Sequence, residues 1–325
     1  EISLGLVGSE MCIRDRWYYG RTEEGKNYGI SCRVPVADGS DPWAPPTLPD
    51  DGSGLPGEQV LLDFNALAEG HEFFSVGASS VSTSGRYLAF STDTAGDERF
   101  DLKVKDLETE QLLDDDIPGI FYGATWAGED HIFYIRVDDA WRPHQVWRHK
   151  LGTDASDDVL VYEEADEKFG VGVAADRSER YILIVSASSL TTEYRVLPMD
   201  DPEGESEVLW PREAGIEYNV DLAVLEQGGK KEERWVVTHN AHGPNSSVGV
   251  CAAGGELPPL RELTELMPHD DEVRIEGTDS YRDFIFAAYR RGGIGRLAVA
   301  DLTGGEFGAF RELEFDEELL SLIHI

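Results

Sequence analysis

Gly85-Arg86-Tyr87-Leu88-Ala89-Phe90, a polar loop over 93–98, then Phe100-Asp101-Leu102-Lys103-Val104-Lys105-Asp106-Leu107: this stretch decides the fold, because it recurs. The second copy is His131-Ile132-Phe133-Tyr134-Ile135, a loop over 138–143, and Gln145-Val146-Trp147-Arg148-His149-Lys150-Leu151. The third joins Arg180-Tyr181-Ile182-Leu183-Ile184-Val185 to Glu193-Tyr194-Arg195-Val196-Leu197 through Ser and Thr. The fourth joins Arg234-Trp235-Val236-Val237-Thr238 to Val248-Gly249-Val250-Cys251. The fifth joins Phe284-Ile285-Phe286-Ala287-Ala288-Tyr289 to Arg296-Leu297-Ala298-Val299-Ala300-Asp301-Leu302. The segments alternate with period two and are rich in β-branched and aromatic residues, as half-buried strands are.

Short leading strands (Phe73-Phe74-Ser75-Val76, for example) and trailing strands (Val159-Leu160-Val161-Tyr162) flank the copies. Four strands per unit, at a spacing of about fifty residues, is the signature of a β-propeller blade. The sequence therefore predicts an all-β chain with about five four-stranded blades. Their expected bounds are 73–115, 117–165, 168–213, 215–266 and 268–318, within a domain over 17–318. Residues 17–70 read as a lead-in segment, with a Pro/Gly-rich exposed loop at 38–57 and a single helical turn within 61–70.

The two ends do not share this pattern. Residues 1–16, through Ser3-Leu4-Gly5-Leu6-Val7-Gly8-Ser9-Glu10, and the tail 319–325, ending Ser321-Leu322-Ile323-His324-Ile325, resemble translated adapter sequence. They read as artefact, and the chain as a fragment cut at both ends. A signal peptide fits the first string poorly, since the apolar run is short and Glu10 follows it.

With 28 Lys+Arg against 64 Asp+Glu, the formal charge is −36, so nucleic acid and anionic membrane are excluded as partners. No apolar stretch reaches the ~20 residues that a bilayer span needs. Outside the first string only Cys32 and Cys251 remain, which points to a reducing, cytoplasmic compartment.

Several phrases resemble the prolyl oligopeptidase family of serine peptidases, in its oligopeptidase B branch. They include Trp17-Tyr18-Tyr19-Gly20-Arg21-Thr22-Glu23-Glu24-Gly25-Lys26, Leu61-Leu62-Asp63-Phe64-Asn65-Ala66-Leu67-Ala68-Glu69-Gly70-His71-Glu72-Phe73-Phe74 and Asp93-Thr94-Ala95-Gly96-Asp97-Glu98-Arg99-Phe100. Val146-Trp147-Arg148-His149, Lys168-Phe169 and Arg177-Ser178-Glu179-Arg180-Tyr181 continue the likeness, which is loosest over 225–233 and 251–259. The resemblance implies a seven-bladed propeller stacked on an α/β-hydrolase domain. In such a protein the propeller limits entry to short peptides, and the hydrolase cleaves them after Arg or Lys. Its own hydrolase domain and short basic peptides are then the expected partners.

The chemistry of such a hydrolase needs Ser on a strained elbow, Gly-x-Ser-x-Gly, followed by Asp and His. The chain holds no such motif; Gly77-Ala78-Ser79-Ser80-Val81 comes nearest and lacks the second Gly. No catalytic residue is expected here, and no cofactor. His239, His242 and nearby Cys251 match no closed zinc spacing. Asn245-Ser246-Ser247 is a sequon by chance in a cytoplasmic chain, and Gly292-Gly293-Ile294-Gly295 reads as a hairpin turn.

In a propeller the loops after each second strand share one face. That groups Asp93, Asp97, Glu98, Asp138, Asp139, Arg142 and Arg290. From these, Asp97, Glu98, Asp138, Asp139 and Arg142 are the candidates for ion pairs with a hydrolase domain, gating substrate entry, with Glu98 foremost. Taken singly, each also fits a solvated loop with a local pair. The alternative reading of the whole chain is a stand-alone interaction scaffold without enzymatic activity.

Overall fold

The computed structural model describes residues 11–13, 16–37, 39, 44–49, 51–302 and 305–315. Among these residues the strands form six four-stranded antiparallel sheets, each a simple meander in chain order. The first holds β1 (Met11–Ile13), β2 (Arg16–Arg21), β3 (Ile30–Pro35) and β4 (Gln59–Asp63). The second holds β5 (Ser75–Val81), β6 (Tyr87–Asp93), β7 (Phe100–Asp106) and β8 (Gln111–Ile120). The third holds β9 (Ala124–Ala127), β10 (His131–Val137), β11 (Pro143–Lys150) and β12 (Val159–Glu163). The fourth holds β13 (Gly170–Ala175), β14 (Tyr181–Ala187), β15 (Thr192–Pro198) and β16 (Glu207–Val208). The fifth holds β17 (Tyr218–Gln227), β18 (Lys230–His239), β19 (Ser247–Ala252) and β20 (Thr264–Met267). The sixth holds β21 (Val273–Ser280), β22 (Phe284–Arg291), β23 (Ile294–Asp301) and β24 (Arg311–Glu312).

First strands of neighbouring sheets touch: β5 meets β9, β9 meets β13, and β17 meets β21. Fourth strands face outward, and β12, β20 and β24 bury no residue. The sheets are therefore blades set radially, as a β-propeller requires. No helix among the described residues is long and apolar enough to cross a membrane.

What holds the blades together is the apolar face of each against the next. Phe100, Leu102, Val104, Ile117 and Ile120 of the second blade share a core with Trp126, Ile132 and Tyr134 of the third. Phe133, Ile135 and Val146 on the other face of the third blade meet Val171, Ile182, Ile184 and Leu197 of the fourth. Trp210 links the fourth blade to Tyr218, Trp235 and Val237 of the fifth, whose Val236, Val248 and Val250 meet Ile275, Ile285 and Tyr289 of the sixth. Leu61 and Leu62 join the first blade to Leu88, Phe90 and Leu107 of the second. Alternation along a strand thus feeds two different cores, so both faces of the middle blades are apolar.

The first blade corrects the sequence reading. The segment 17–70, expected as a lead-in, supplies three of the four strands of a sheet that β1 completes, so the described residues hold six blades where about five were expected. Its long β3–β4 connection interrupts the fifty-residue spacing and hid the pattern. That connection is also less open than expected: Leu48 and Leu55 pack on Trp17, Tyr19, Ile30, Cys32 and Val34. Arg21 holds it down, donating from Nη1 to the Gly52 carbonyl (3.1 Å) and from Nη2 to Glu58 (3.0 Å). Met11–Ile13, set aside with 1–16, pairs with Arg16, Trp17 and Tyr18 of β2. Of both terminal strings, 1–10, 14–15 and 319–325 lie outside the described residues. The helical turn is α1 (Phe64–Leu67), capped by the Asp63 carboxylate, which accepts from the Asn65 and Ala66 amides.

Charged joints cross two of the seams. His149, fully buried, lies between Asp115 of β8 (Nε2 to Oδ1, 3.0 Å) and Asp158 (Nδ1 to Oδ1, 2.6 Å), while the Tyr134 hydroxyl donates to Asp158 (2.7 Å). Between the third and fourth blades, Arg212 donates from Nη2 to Glu164 (2.7 Å) and to Glu193 (3.3 Å), with its guanidinium over the Phe169 ring (4.2 Å). Tyr162 and Ser186 also donate to Glu164. Burial alone would raise the Glu164 pKa; Arg212, Ser186, Tyr162 and the Asp166 amide outweigh it and hold the carboxyl at about 2.

Two outcomes follow. A Cβ on Gly77 would stand 2.6 Å from the Phe100 ring, whereas one on Gly20 would meet nothing within 4 Å. Gly77→Ala should lower stability in urea unfolding by about 1–3 kcal/mol, and Gly20→Ala by well under ~1 kcal/mol. Because the folded-state pKa of Glu164 is depressed, its contribution is present above its usual pKa of 4.5 and is lost as pH falls toward about 2. Glu164→Gln should cost about 3 kcal/mol near neutrality, and the gap from the parent chain should close over that acid window. A gap independent of pH would refute the assignment.

Candidate functional site

In each blade the turn between second and third strands lies at the same end as the linker to the next blade. The remaining turns lie at the opposite end. The first end is thus built from 22–29, 94–99, 138–142, 188–191, 240–246 and 292–293, with the linkers 64–74, 121–123, 164–169, 209–217 and 268–272 between them. Gly292 and Gly293, both at positive φ (59° and 80°), make the tight β22–β23 hairpin.

Asp93 is buried beneath its loop. Its carboxylate accepts from the amides of Ala95 (2.8 Å), Gly96 (2.8 Å) and Glu98 (2.9 Å). Burial would raise its pKa, and these donors outweigh it and hold the carboxyl below the usual range. The anchored loop carries Glu98 at φ 55°, a left-handed backbone that costs a non-glycine residue about 1 kcal/mol, and leaves its side chain exposed. Asp97 is exposed too, accepting from the Arg99 amide (3.3 Å).

The next loop repeats the device. Asp138 accepts from the amides of Ala140 (2.9 Å) and Arg142 (3.0 Å) and pairs with the Arg142 guanidinium (3.0 Å). The Arg142 amide and then its side chain keep the Asp138 carboxyl below its ordinary range. Arg142 turns its Nη1 inward, donating to the carbonyls of Glu164 (3.1 Å), Asp166 (3.2 Å) and Phe169 (3.1 Å). Asp138 and Arg142 therefore tie the loop to the linker behind it, while Asp139 stays exposed. Arg290, in β22 near the sixth blade's turn, pairs with Glu276 (2.6 Å). The five candidates fall into two groups: Asp97, Glu98 and Asp139 face solvent, and Asp138 and Arg142 shape the loop.

Sequence reasoning missed the apolar component of this end. Tyr28, Phe73, Tyr122, Trp141 and Leu190 are exposed large hydrophobics, from 36% for Tyr28 to 67% for Leu190, and all five lie in its turns and linkers. Arg99 stacks on Trp141 (4.5 Å), joining the turns of the second and third blades. Loop residues have no periodicity to betray them; the signal was only that large apolar side chains stood in otherwise polar turns.

No group of metal-ligating side chains stands together among the described residues. His239 is buried, and burial, then the charges of His242 and Arg261, bring its pKa down to about 4. His242 meets Glu265 (3.1 Å) and the Arg261 carbonyl (3.2 Å). Ser79, the nearest approach to an elbow serine, lies within β5 opposite Phe90.

The model of the prolyl oligopeptidase N-terminal β-propeller domain matches residues 8–324. The chain is 32% identical over 293 residues to dipeptidyl aminopeptidase BI of Pseudoxanthomonas mexicana, covering 90% of this chain and 39% of that one. It is 28% identical to protease 2 of Moraxella lacunata, covering 94% and 41%. Among solved structures it is similar to oligopeptidase B of Trypanosoma brucei with covalently bound antipain, in a closed form (TM-score 0.79, 28% identity, 95% and 41% coverage). It thus spans about two-fifths of the length of these relatives. With six radial blades among the described residues and a family match along nearly the whole of its length, the chain belongs to the prolyl oligopeptidase family as its N-terminal β-propeller domain.

Proposed function

We propose that the end carrying Trp141 and Glu98 docks a C-terminal α/β-hydrolase domain, and that the propeller restricts that domain to short peptides, cleaved after Arg or Lys. The observation that carries this reading is the exposed apolar set, Tyr28, Phe73, Tyr122, Trp141 and Leu190, gathered at one end among polar turns. Large apolar side chains clustered on one surface mark a docking face. Exposed Asp97, Glu98 and Asp139 supply the polar rim, where an ion pair adds specificity and rate more than affinity. Asp138 and Arg142 act on the same face as positioning residues, since they set the loop that presents Trp141 and Asp139. The net charge of −36 favours approach of basic peptides through the long-range field. The length of the relatives leaves room for such a domain, and the bound antipain of the trypanosomal structure supports a peptide-like ligand.

In the intact protein that this reading requires, Trp141→Asp should loosen the docked state. The radius of gyration by small-angle scattering should rise and kcat/KM on an arginine-amide peptide should fall about tenfold, with the propeller's melting unchanged. Glu98→Ala should alter kcat/KM without unfolding, since the Glu98 side chain is exposed and alanine keeps the same Cβ at that backbone angle. Unchanged scattering and kinetics in both variants would remove the docking face. An intact protein with no peptidase activity would favour a scaffold, and release of dipeptides from an N-terminus, in place of cleavage after Arg or Lys, would replace the specificity.

A further inference from the structure

The opposite end of the propeller carries a cleft of ≈ 930 Å³ that the proposed docking of a hydrolase domain does not use. It lies between the β13–β14 turn of the fourth blade and the β21–β22 turn of the sixth, and Leu222 and Val224 of β17 line it between them. Ten-residue β17 and β18 make the fifth blade's first hairpin longer than its counterparts, and Lys231 from that extension lines the cleft. Tyr281 stacks on Phe284 (4.8 Å between ring centres) and stays exposed, with the Arg177 guanidinium over its ring (4.7 Å).

The charge of the lining runs against the rest of the chain. Acidic residues outnumber basic ones 64 to 28, yet Arg177, Arg180, Lys231 and Arg282 converge here against Glu226 and Asp283. Arg177 and Arg180 are held in place by Asp279 (2.8 Å) and Glu233 (2.6 Å). Lys231 makes no ion pair among the described residues. Arg282, its side chain 92% exposed, reaches only its neighbour Asp283 (3.4 Å). Lys231, without an ion pair, and Arg282, held only by its exposed chain neighbour, leave the lining with four cations against two carboxylates beside its apolar surface, which is complementary to a ligand that brings both features.

We propose that this cleft binds an extended acidic peptide segment, with an apolar side chain against Leu222, Val224 and Tyr281 and carboxylates on Lys231 and Arg282. Lysine and arginine attract carboxylates here through point charge and forked donors respectively, and the apolar lining supplies the area that isolated anions lack.

The test is fluorescence anisotropy on the full chain, with a labelled Glu-Glu-Phe-Glu-Glu peptide and its Lys-Lys-Phe-Lys-Lys counterpart. The acidic peptide should bind saturably and the basic one should not, and affinity should fall about tenfold between ~50 and ~300 mM salt. The double variant Lys231→Glu with Arg282→Glu should lose at least about tenfold in affinity at unchanged melting temperature, and Lys231→Gln with Arg282→Gln an intermediate amount. Equal binding of the basic peptide, full affinity in both double variants, or displacement by an equal concentration of free glutamate would overturn the assignment.

Discussion

Each blade of this molecule depends on the apolar face of its neighbour. A twisted four-stranded sheet that is apolar on both sides has no stable existence alone, because each face must be covered to leave water. Here the second to fifth blades each give one face to the preceding seam and one to the next, through sets such as Phe100, Leu102 and Ile117 on Trp126 and Ile132. The first blade departs from the rule in a revealing way: its Trp17, Tyr19 and Val34 face is covered by Leu48 and Leu55 of its own connecting loop. A long Pro/Gly-rich connection thus does for one blade what a neighbouring sheet does for the others.

Packing is non-directional, and charge supplies the register. His149 between Asp115 and Asp158, with both ring nitrogens engaged, and Arg212 between Glu164 and Glu193 each cross a seam through directed contacts. Buried groups of this kind are costly to break because a lone charge remains behind. They fix how one blade sits on the next, while the apolar area supplies the drive to associate. The same economy appears in the turns, where Asp93, Asp138 and Asp176 each gather several backbone amides and so hold exposed loops in one shape.

The blades were legible because alternation is a property of local sequence. Phe100, Leu102 and Val104 alternate in β7 and burial follows that alternation, while in β6 Leu88 and Phe90 alternate with small Ala89 and Ser91 that are buried as well. The first blade was not legible as one, since Ile30-Ser31-Cys32-Arg33-Val34 and Gln59-Val60-Leu61-Leu62-Asp63 pair across a connection that no period anticipates. At the candidate face, the loop positions of Asp97, Glu98 and Asp139 followed from topology alone. The inward turn of Arg142 did not, because three carbonyl partners from a distant linker are a tertiary fact. Nor did the placing of Tyr28, Phe73, Tyr122, Trp141 and Leu190, which are far apart in the chain and come to the same end only through the blade topology.

The central claim is that one end of a peptidase propeller, and not the other, meets the hydrolase domain. Amide hydrogen exchange compares the intact protein with this chain alone and reads both ends at once. The account predicts added protection at 22–29, 94–99, 138–142 and 188–191 in the intact protein, with the turns at 176–180 and 281–283 unchanged. Added protection confined to those opposite turns, or absent from both ends, would contradict it.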